Sequence, residues 1–294
     1  MKKFLTVVFG LSLLFAGCGN DADFVAPAFL HMDGFKVLKS DISNDTGFYR
    51  SNIVAAYVVA YYPDRMSVDT LGVFDVPFTA PVLFNGEAKR LLVYPGIRQG
   101  GINATVIPYP FYYHLDTTGV VFTAGDTVDL GTIDLRYCID TAMFWQGFEF
   151  PAEASLQFDT TVKWVQNDAT EACTGRGYGR VPFKASEGVV EFGITKTLVD
   201  NNSNHSIYLE MDIRNDARME IYMHAPTMEG GQWERKSVMV CYPSEEWRHM
   251  YINLGKTWSQ FTYSSTFMIS FAALNSEGID GEMRIDNVKI VNVL

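Results

Sequence analysis

Met283-Arg284-Ile285-Asp286-Asn287-Val288-Lys289-Ile290-Val291, close to the C-terminus, reads as a strand and closes the series that decides the class of fold. Working back from it, Phe267 to Ala272, His249 to Leu254, Arg235 to Val240, Met219 to His224, Ser206 to Ile213, Val189 to Ile194, Leu156 to Asp159 and Trp145 to Phe150 read the same way. Long polar loops separate several of them. Two sheets of four or five strands each, wound as a jelly roll, is the economical arrangement for such a set.

Upstream, Ala28 to Leu38, Asn52 to Tyr62, Leu71 to Val76, Lys89 to Tyr94, Tyr109 to His114 and Thr127 to Tyr137 are short and rich in Val, Tyr, Phe, Ile and Leu. Turn formers such as Ser43-Asn44-Asp45-Thr46-Gly47, Asn85-Gly86 and Gly100-Gly101 divide them. With no helical period between them, they predict a sandwich of about seven strands. Asp140-Thr141-Ala142 is a plausible boundary. The expectation is an all-β chain of two β-sandwich domains, the first over 27–140 and a jelly roll over 141–294.

Ahead of both, Lys2 and Lys3 precede an apolar run, Phe4 to Ala16, which is followed by Gly17 and Cys18. The run is too short for a spanning helix, which needs about 20 apolar residues, and reads as a signal peptide over 1–17. The order of apolar run, two small residues and Cys resembles the lipobox of bacterial lipoproteins, with Phe15 where Leu is usual. That resemblance implies a lipid on Cys18 and anchoring at the outer membrane; in the acidic tether over 18–26, Asp21 and Asp23 resemble the export tag of some surface-exposed outer-membrane lipoproteins, which makes the cell surface the expected face and the periplasm the alternative. The chain carries 23 Lys and Arg against 34 Asp and Glu, for a formal net charge of −11. Such an acidic surface argues against nucleic acid as a partner.

The four cysteines include no CxxC pair, so zinc ribbons are excluded, and with Cys18 lipidated at most one disulfide can form. Leu254-Gly255-Lys256-Thr257 lacks the upstream glycine of a phosphate loop, because that position is Met250. Gly175-Arg176-Gly177-Tyr178-Gly179-Arg180 lacks the last glycine of a dinucleotide fingerprint and reads as a flexible loop. No G-x-S-x-G or H-E-x-x-H occurs. His31, His114, His205, His224 and His249 show no metal-ligand spacing. Nothing marks an enzyme or a catalytic cofactor, although paired carboxylates for glycoside cleavage can come from distant strands.

In the C-terminal half, Phe148-Glu149, Ile207 to Asn215, Glu246-Trp247-Arg248-His249-Met250-Tyr251-Ile252-Asn253-Leu254 and Met283 to Val291 occur in that order. Together they resemble the galactose-binding-like jelly rolls of many carbohydrate-binding modules. The resemblance implies glycan binding and a possible structural calcium at Glu149 and Asp286, although calcium takes six to eight oxygens. Sugar rings pack on aromatic faces, which makes Trp164, Tyr178, Tyr222, Trp233 and Trp258 the candidate contacts. Trp247 and Tyr251, four apart, should share a face in core packing.

In the N-terminal half, Leu71 to Pro77 with Asn85 to Gly96 resembles PEGA-type and carboxypeptidase-regulatory-like β modules, so an Ig-like or PEGA-like sandwich is expected. Gly96 to Thr105 resembles a stretch of uncharacterised two-domain surface lipoproteins, with no activity implied. Ile107-Pro108-Tyr109-Pro110-Phe111-Tyr112-Tyr113-His114 can be an edge or a crossover but not a central strand, since each Pro removes a donor. Tyr109, Phe111, Tyr112 and Tyr113 either plug the sandwich or present a contact for an envelope protein. Thr70, Thr117, Thr127, Thr141 and Thr160 follow Asp and resemble acceptors of bacterial O-glycosylation, although Asp-Thr is also turn chemistry. The sequence thus points to a non-catalytic, lipid-anchored protein that binds glycan. An accessory subunit of an envelope complex, or a glycosidase, are the alternatives.

Overall fold

The computed structural model describes residues 26–62, 68–84, 86–139, 142–150, 157–165, 168–200, 206–228 and 231–292. Cys18, Thr141 and the signal and most of the tether lie outside them. The described residues are nearly all β, with a short helix, α1 (Gly255–Trp258), and a 3-10 turn at Thr46–Tyr49. No helix among the described residues is long and apolar enough to cross a membrane.

The C-terminal jelly roll packs two sheets face to face. The first holds β14 (Lys163–Val165), β15 (Tyr178–Phe183), β23 (Gly281–Asn292), β18 (Ile207–Asn215) and β21 (Ser244–Asn253) in that order, with β13 (Phe144–Gln146) also pairing with β23. The second runs β16 (Val189–Gly193), β22 (Thr266–Leu274), β19 (Arg218–Pro226), β20 (Trp233–Cys241), with β17 (Leu198–Val199) on β22. Side chains alternate along each strand, so Leu209, Met211 and Ile213 of β18, Met250 and Ile252 of β21, and Met219, Ile221 and Met223 of β19 meet in one apolar core. Tyr178 to Phe183, read as part of a flexible loop or left unassigned, is a central strand paired with both β14 and β23. Gly177 just before it and Gly179 within it read as loop formers but serve close packing: a Cβ on Gly177 would fall 1.9 Å from the Phe148 carbonyl oxygen.

The N-terminal unit is more divided than the seven strands expected of it. Its main sheet runs β4 (Val68–Asp75), β3 (Ile53–Tyr61), β7 (Arg90–Arg98), β8 (Val106–Pro108), with β9 (Leu115–Thr117) also on β7. Small sheets surround it: β11 (Thr127–Asp129) with β1 (Ala28–Met32) and β5 (Phe78–Val82), β12 (Thr132–Leu135) with β2 (Gly34–Val37), and β10 (Val120–Phe122) with β6 (Gly86–Ala88). The run from Ala28 splits at Asp33, and its halves lie parallel to β11 and β12. β8 ends the main sheet, as the prolines beside it require.

No ladder joins the described strands before residue 140 to those after it, apart from the bridge between Gln99 and Tyr251. The cores nevertheless interpenetrate. Tyr208, Tyr251 and Val291 of the jelly roll belong to the same apolar cluster as Phe48, Tyr109, Phe111, Tyr112 and Tyr137. The N-terminal unit is therefore a lid over the outer face of the first jelly-roll sheet. Tyr109, Phe111 and Tyr112 are buried in that joint, which corrects their reading as a contact for another protein: the rings meet the chain's own second unit, Tyr109 stacking edge-on against Tyr208 and Tyr251. Tyr113 alone of the four is exposed.

Candidate functional site

The covered sheet face is polar. On β18, Glu210 and Asp212 point away from the jelly-roll core, and on β23 Asp286 and Lys289 do the same. A bulge makes this possible: Glu210 faces Lys289 and Asp212 faces Asp286, so Asn287 and Val288 together oppose Met211. Asn287 takes a left-handed conformation, φ 50°, to accommodate it.

Lys289 Nζ lies 2.9 Å from Glu210, donates to the Phe48 carbonyl oxygen at 2.8 Å and to the Tyr137 hydroxyl, and sits over the Phe48 and Tyr137 rings. Glu210 also accepts from the Tyr109 and Tyr137 hydroxyls. Beside it, Asp212 accepts from Arg50 Nε at 2.7 Å, His249 Nδ1 at 3.2 Å and Asn287 Nδ2 at 2.8 Å. Burial alone would raise both acids. The Lys289 and His249 charges and the Tyr109 hydrogen bond instead hold Glu210 at about 2, and His249 and Arg50 do the same for Asp212, also at about 2. Burial works against the His249 imidazolium, but Asp212 and Glu210 outweigh it and raise His249 above its ordinary value. Asp286 goes the other way: burial and the Asp212 charge push it well up, although the Thr174 and Asn287 amides donate to it.

This cluster opens into a cleft of about 500 Å3 between the two units. Arg50 and Asn52, after the 3-10 turn, line one side; Arg98, Gly100 and Gly101 at the end of β7 line another; Tyr242, Trp247, Arg248 and His249 of the jelly roll complete it. Gly100 and Gly101 are left-handed, φ 65° and 70°, which turns the chain so that the Gly100 amide donates to the Tyr251 carbonyl oxygen at 2.7 Å. Asn52 N donates to the Tyr251 hydroxyl at 3.1 Å, so both flanks of the cleft are pinned to one residue. Trp247 is half-buried, with Nε1 donating to the Glu171 carbonyl oxygen and its ring edge-on to Tyr178. Trp247 and Tyr251 both lie outside the jelly-roll core: Tyr251 packs in the joint and Trp247 lines the cleft beside it.

The five aromatic candidates do not converge. Trp258 is a correction: it is 1% exposed, packed on Phe267 with Nε1 bonded to Asp200, and a fully buried ring meets no sugar. Trp164 is half-buried on edge strand β14, its Nε1 donating to the Phe148 carbonyl oxygen. Tyr178 is buried beside Arg284 and Trp247. Tyr222 and Trp233 lie on the second sheet, Tyr222 under Arg235 and Trp233 exposed at the start of edge strand β20.

Glu149 accepts from the Arg176 and Gly177 amides, so it and Asp286 each anchor the 174–177 loop. Among the described residues no group of three or more His, Cys, Asp or Glu is arranged for a metal ion. Cys138, Cys173 and Cys241 are unpaired, and burial pushes the Cys241 thiol to about 11. Thr70, Thr127 and Thr160 are exposed and Thr117 is half-buried. Asp159, before Thr160, accepts from the Thr161 amide, which is the turn chemistry of an Asx bond.

The joint cluster and its cleft escaped the sequence reading, although Gly96 to Thr105 was singled out there and supplies Arg98, Gly100 and Gly101. No protein-family model matches the chain, and comparison with curated proteins finds no match. Similar solved structures are carbohydrate-binding modules. One of family 30 is 18% identical, with 47% of this chain and 80% of that chain covered at a TM-score of 0.35. A family 11 module from Clostridium thermocellum, in complex with a β-1,3-1,4-mixed-linked tetrasaccharide, is 14% identical, with 47% and 87% covered at 0.32. A second family 11 module of that organism, from a cellulosomal cellulase, is 14% identical, with 51% and 96% covered at 0.35.

Proposed function

We propose that the protein is a non-catalytic binding protein that takes a glycan into the cleft between its two units and is held at the outer membrane by a lipid on Cys18. The observation that carries the reading is the make-up of that cleft: the aromatic residues Trp247 and Tyr242 line a concave space of about 500 Å3 together with Asn52, Arg98 and Arg248, whose side chains can hydrogen-bond. A pyranose offers an apolar face and a hydroxyl-rich edge, and this lining supplies a partner for each. The lipid and the outer-membrane location rest on the residue order before Cys18, the cell-surface location on Asp21 and Asp23 after it, and glycosylation at the Asp-Thr sites on their sequence pattern.

The test is glycan-array binding by the full chain purified in detergent, beside Tyr242→Ala and Trp247→Ala. Tyr242 is 62% exposed, so its removal leaves the fold intact. Binding by the parent chain that falls about 5-fold or more in each variant supports the reading, since stacking on one ring is worth about 1 kcal/mol. No binding to any glycan by a chain with an intact β spectrum in circular dichroism overturns it.

A further inference from the structure

Four basic side chains and no acidic one line the joint cleft, in a chain whose acids outnumber its Lys and Arg by 34 to 23. Two of the four are balanced in place: Arg50 by Asp212, and His249 by Asp212 with Glu210 3.7 Å away. Arg98 and Arg248 meet no carboxylate among the described residues. Each also has a buried Nε without a hydrogen-bond partner. Arg248 spends Nη2 on Asn215 Oδ1 at 3.1 Å and on the Tyr242 carbonyl oxygen, which are neutral acceptors.

A second cleft, further along the same face of the same sheet, shows the contrast. It too is rich in charge, with Arg180, Lys184 and Arg284, but there Glu282 and Asp280 pair with them. Buried donors are almost always satisfied in a folded protein, and like charges facing one cavity repel. A site that leaves two guanidinium groups uncompensated is built for an anion that arrives with the ligand.

Resting on the reading of this cleft as the glycan site, we propose that its ligand is an acidic glycan whose carboxylate is held by Arg98 and Arg248, with the sugar ring against Trp247 and Tyr242. The paired Nη groups of the planar Arg98 guanidinium match a carboxylate bidentately, which an ammonium does not, and Arg248, with Nη2 engaged, adds Nη1. Uronic and sialic acids are the sugars that carry such a group.

The full chain in detergent is titrated against uronic-acid- and sialic-acid-bearing oligosaccharides, each beside its carboxyl-reduced counterpart and a sulfated neutral one. The expected result is that an acidic member binds at least about 10-fold tighter than its reduced partner, a difference that Arg98→Gln and Arg248→Gln each largely remove. Arg98→Lys, which keeps the charge but not the fork, restores only part of it. Circular dichroism and melting temperature verify that each variant is folded. Equal binding of acidic and reduced members overturns the proposal and leaves the glycan reading standing, as does preference for the sulfated sugar. Binding to no member of any series overturns both.

Discussion

His249 sits between two acids that burial cannot neutralise, and its proton is worth following with pH. Its ordinary value of 6.5 is raised in the folded chain, so its contribution to stability is complete below about pH 6.5 and is lost as pH rises through the raised value. Glu210 and Asp212, lowered from 4.5 and 3.8 to about 2, contribute above those ordinary values and lose that contribution as pH falls towards 2. Urea midpoints of the parent chain and His249→Gln should therefore differ most between about pH 4.5 and 6.5, and the difference should shrink on the alkaline side. A difference that is flat from pH 5 to 9 would mean that the buried ring carries no charge. None of this was legible in the sequence, where His249 is one of five histidines without a spacing signal and its partners lie tens of residues away.

At the scale of the element, the loop after β7 is held by two glycines that no other residue replaces cheaply. At Gly101, φ 70°, an added Cβ would also meet Met250 Cε at 3.0 Å. Gly101→Ala should cost about 1 to 2 kcal/mol from the left-handed conformation alone, read as a lowered urea midpoint with an unchanged slope, and should weaken ligand binding through the displaced Arg98. The strands themselves were largely readable, because Val, Ile, Phe and Tyr runs between turn formers survive whatever the tertiary contacts are. Tyr178 to Phe183 was hidden by Gly179, Pro182 and the glycines just before it. The face that matters was hidden for a different reason. Leu209, Glu210, Met211, Asp212, Ile213 alternates as any half-solvated strand does, and an alternating pattern tells which residues leave the core, not what covers them.

For the whole molecule, the shared core makes the two groups of strands one folding unit. Cutting the chain at residue 142 would expose Tyr208, Tyr251 and Val291 together with the Glu210–Lys289 pair. The full chain should therefore unfold in urea in one transition, with tryptophan fluorescence and far-ultraviolet circular dichroism coinciding. Residues 143–294 alone should unfold at markedly lower urea. Two well-separated transitions in the full chain would show that the joint does not couple its halves. The expectation of two domains divided at Asp140-Thr141-Ala142 came from reading the pattern along the chain, which finds a boundary and is blind to an interface.

The bulge in β23 has a consequence for chain length. Where two residues oppose one, the ladder would close without the extra one: with Asn287 deleted, Val288 would follow Asp286, and Ile285, Val288 and Ile290 would still face the core by plain alternation. Asn287 is thus an insertion that the sheet does not need. What it adds is an amide that donates to Asp212 and accepts from Thr174, tying loop, sheet and joint together. A chain one residue shorter here could keep its fold and lose its site, and among variants that differ in length this position separates architecture from use.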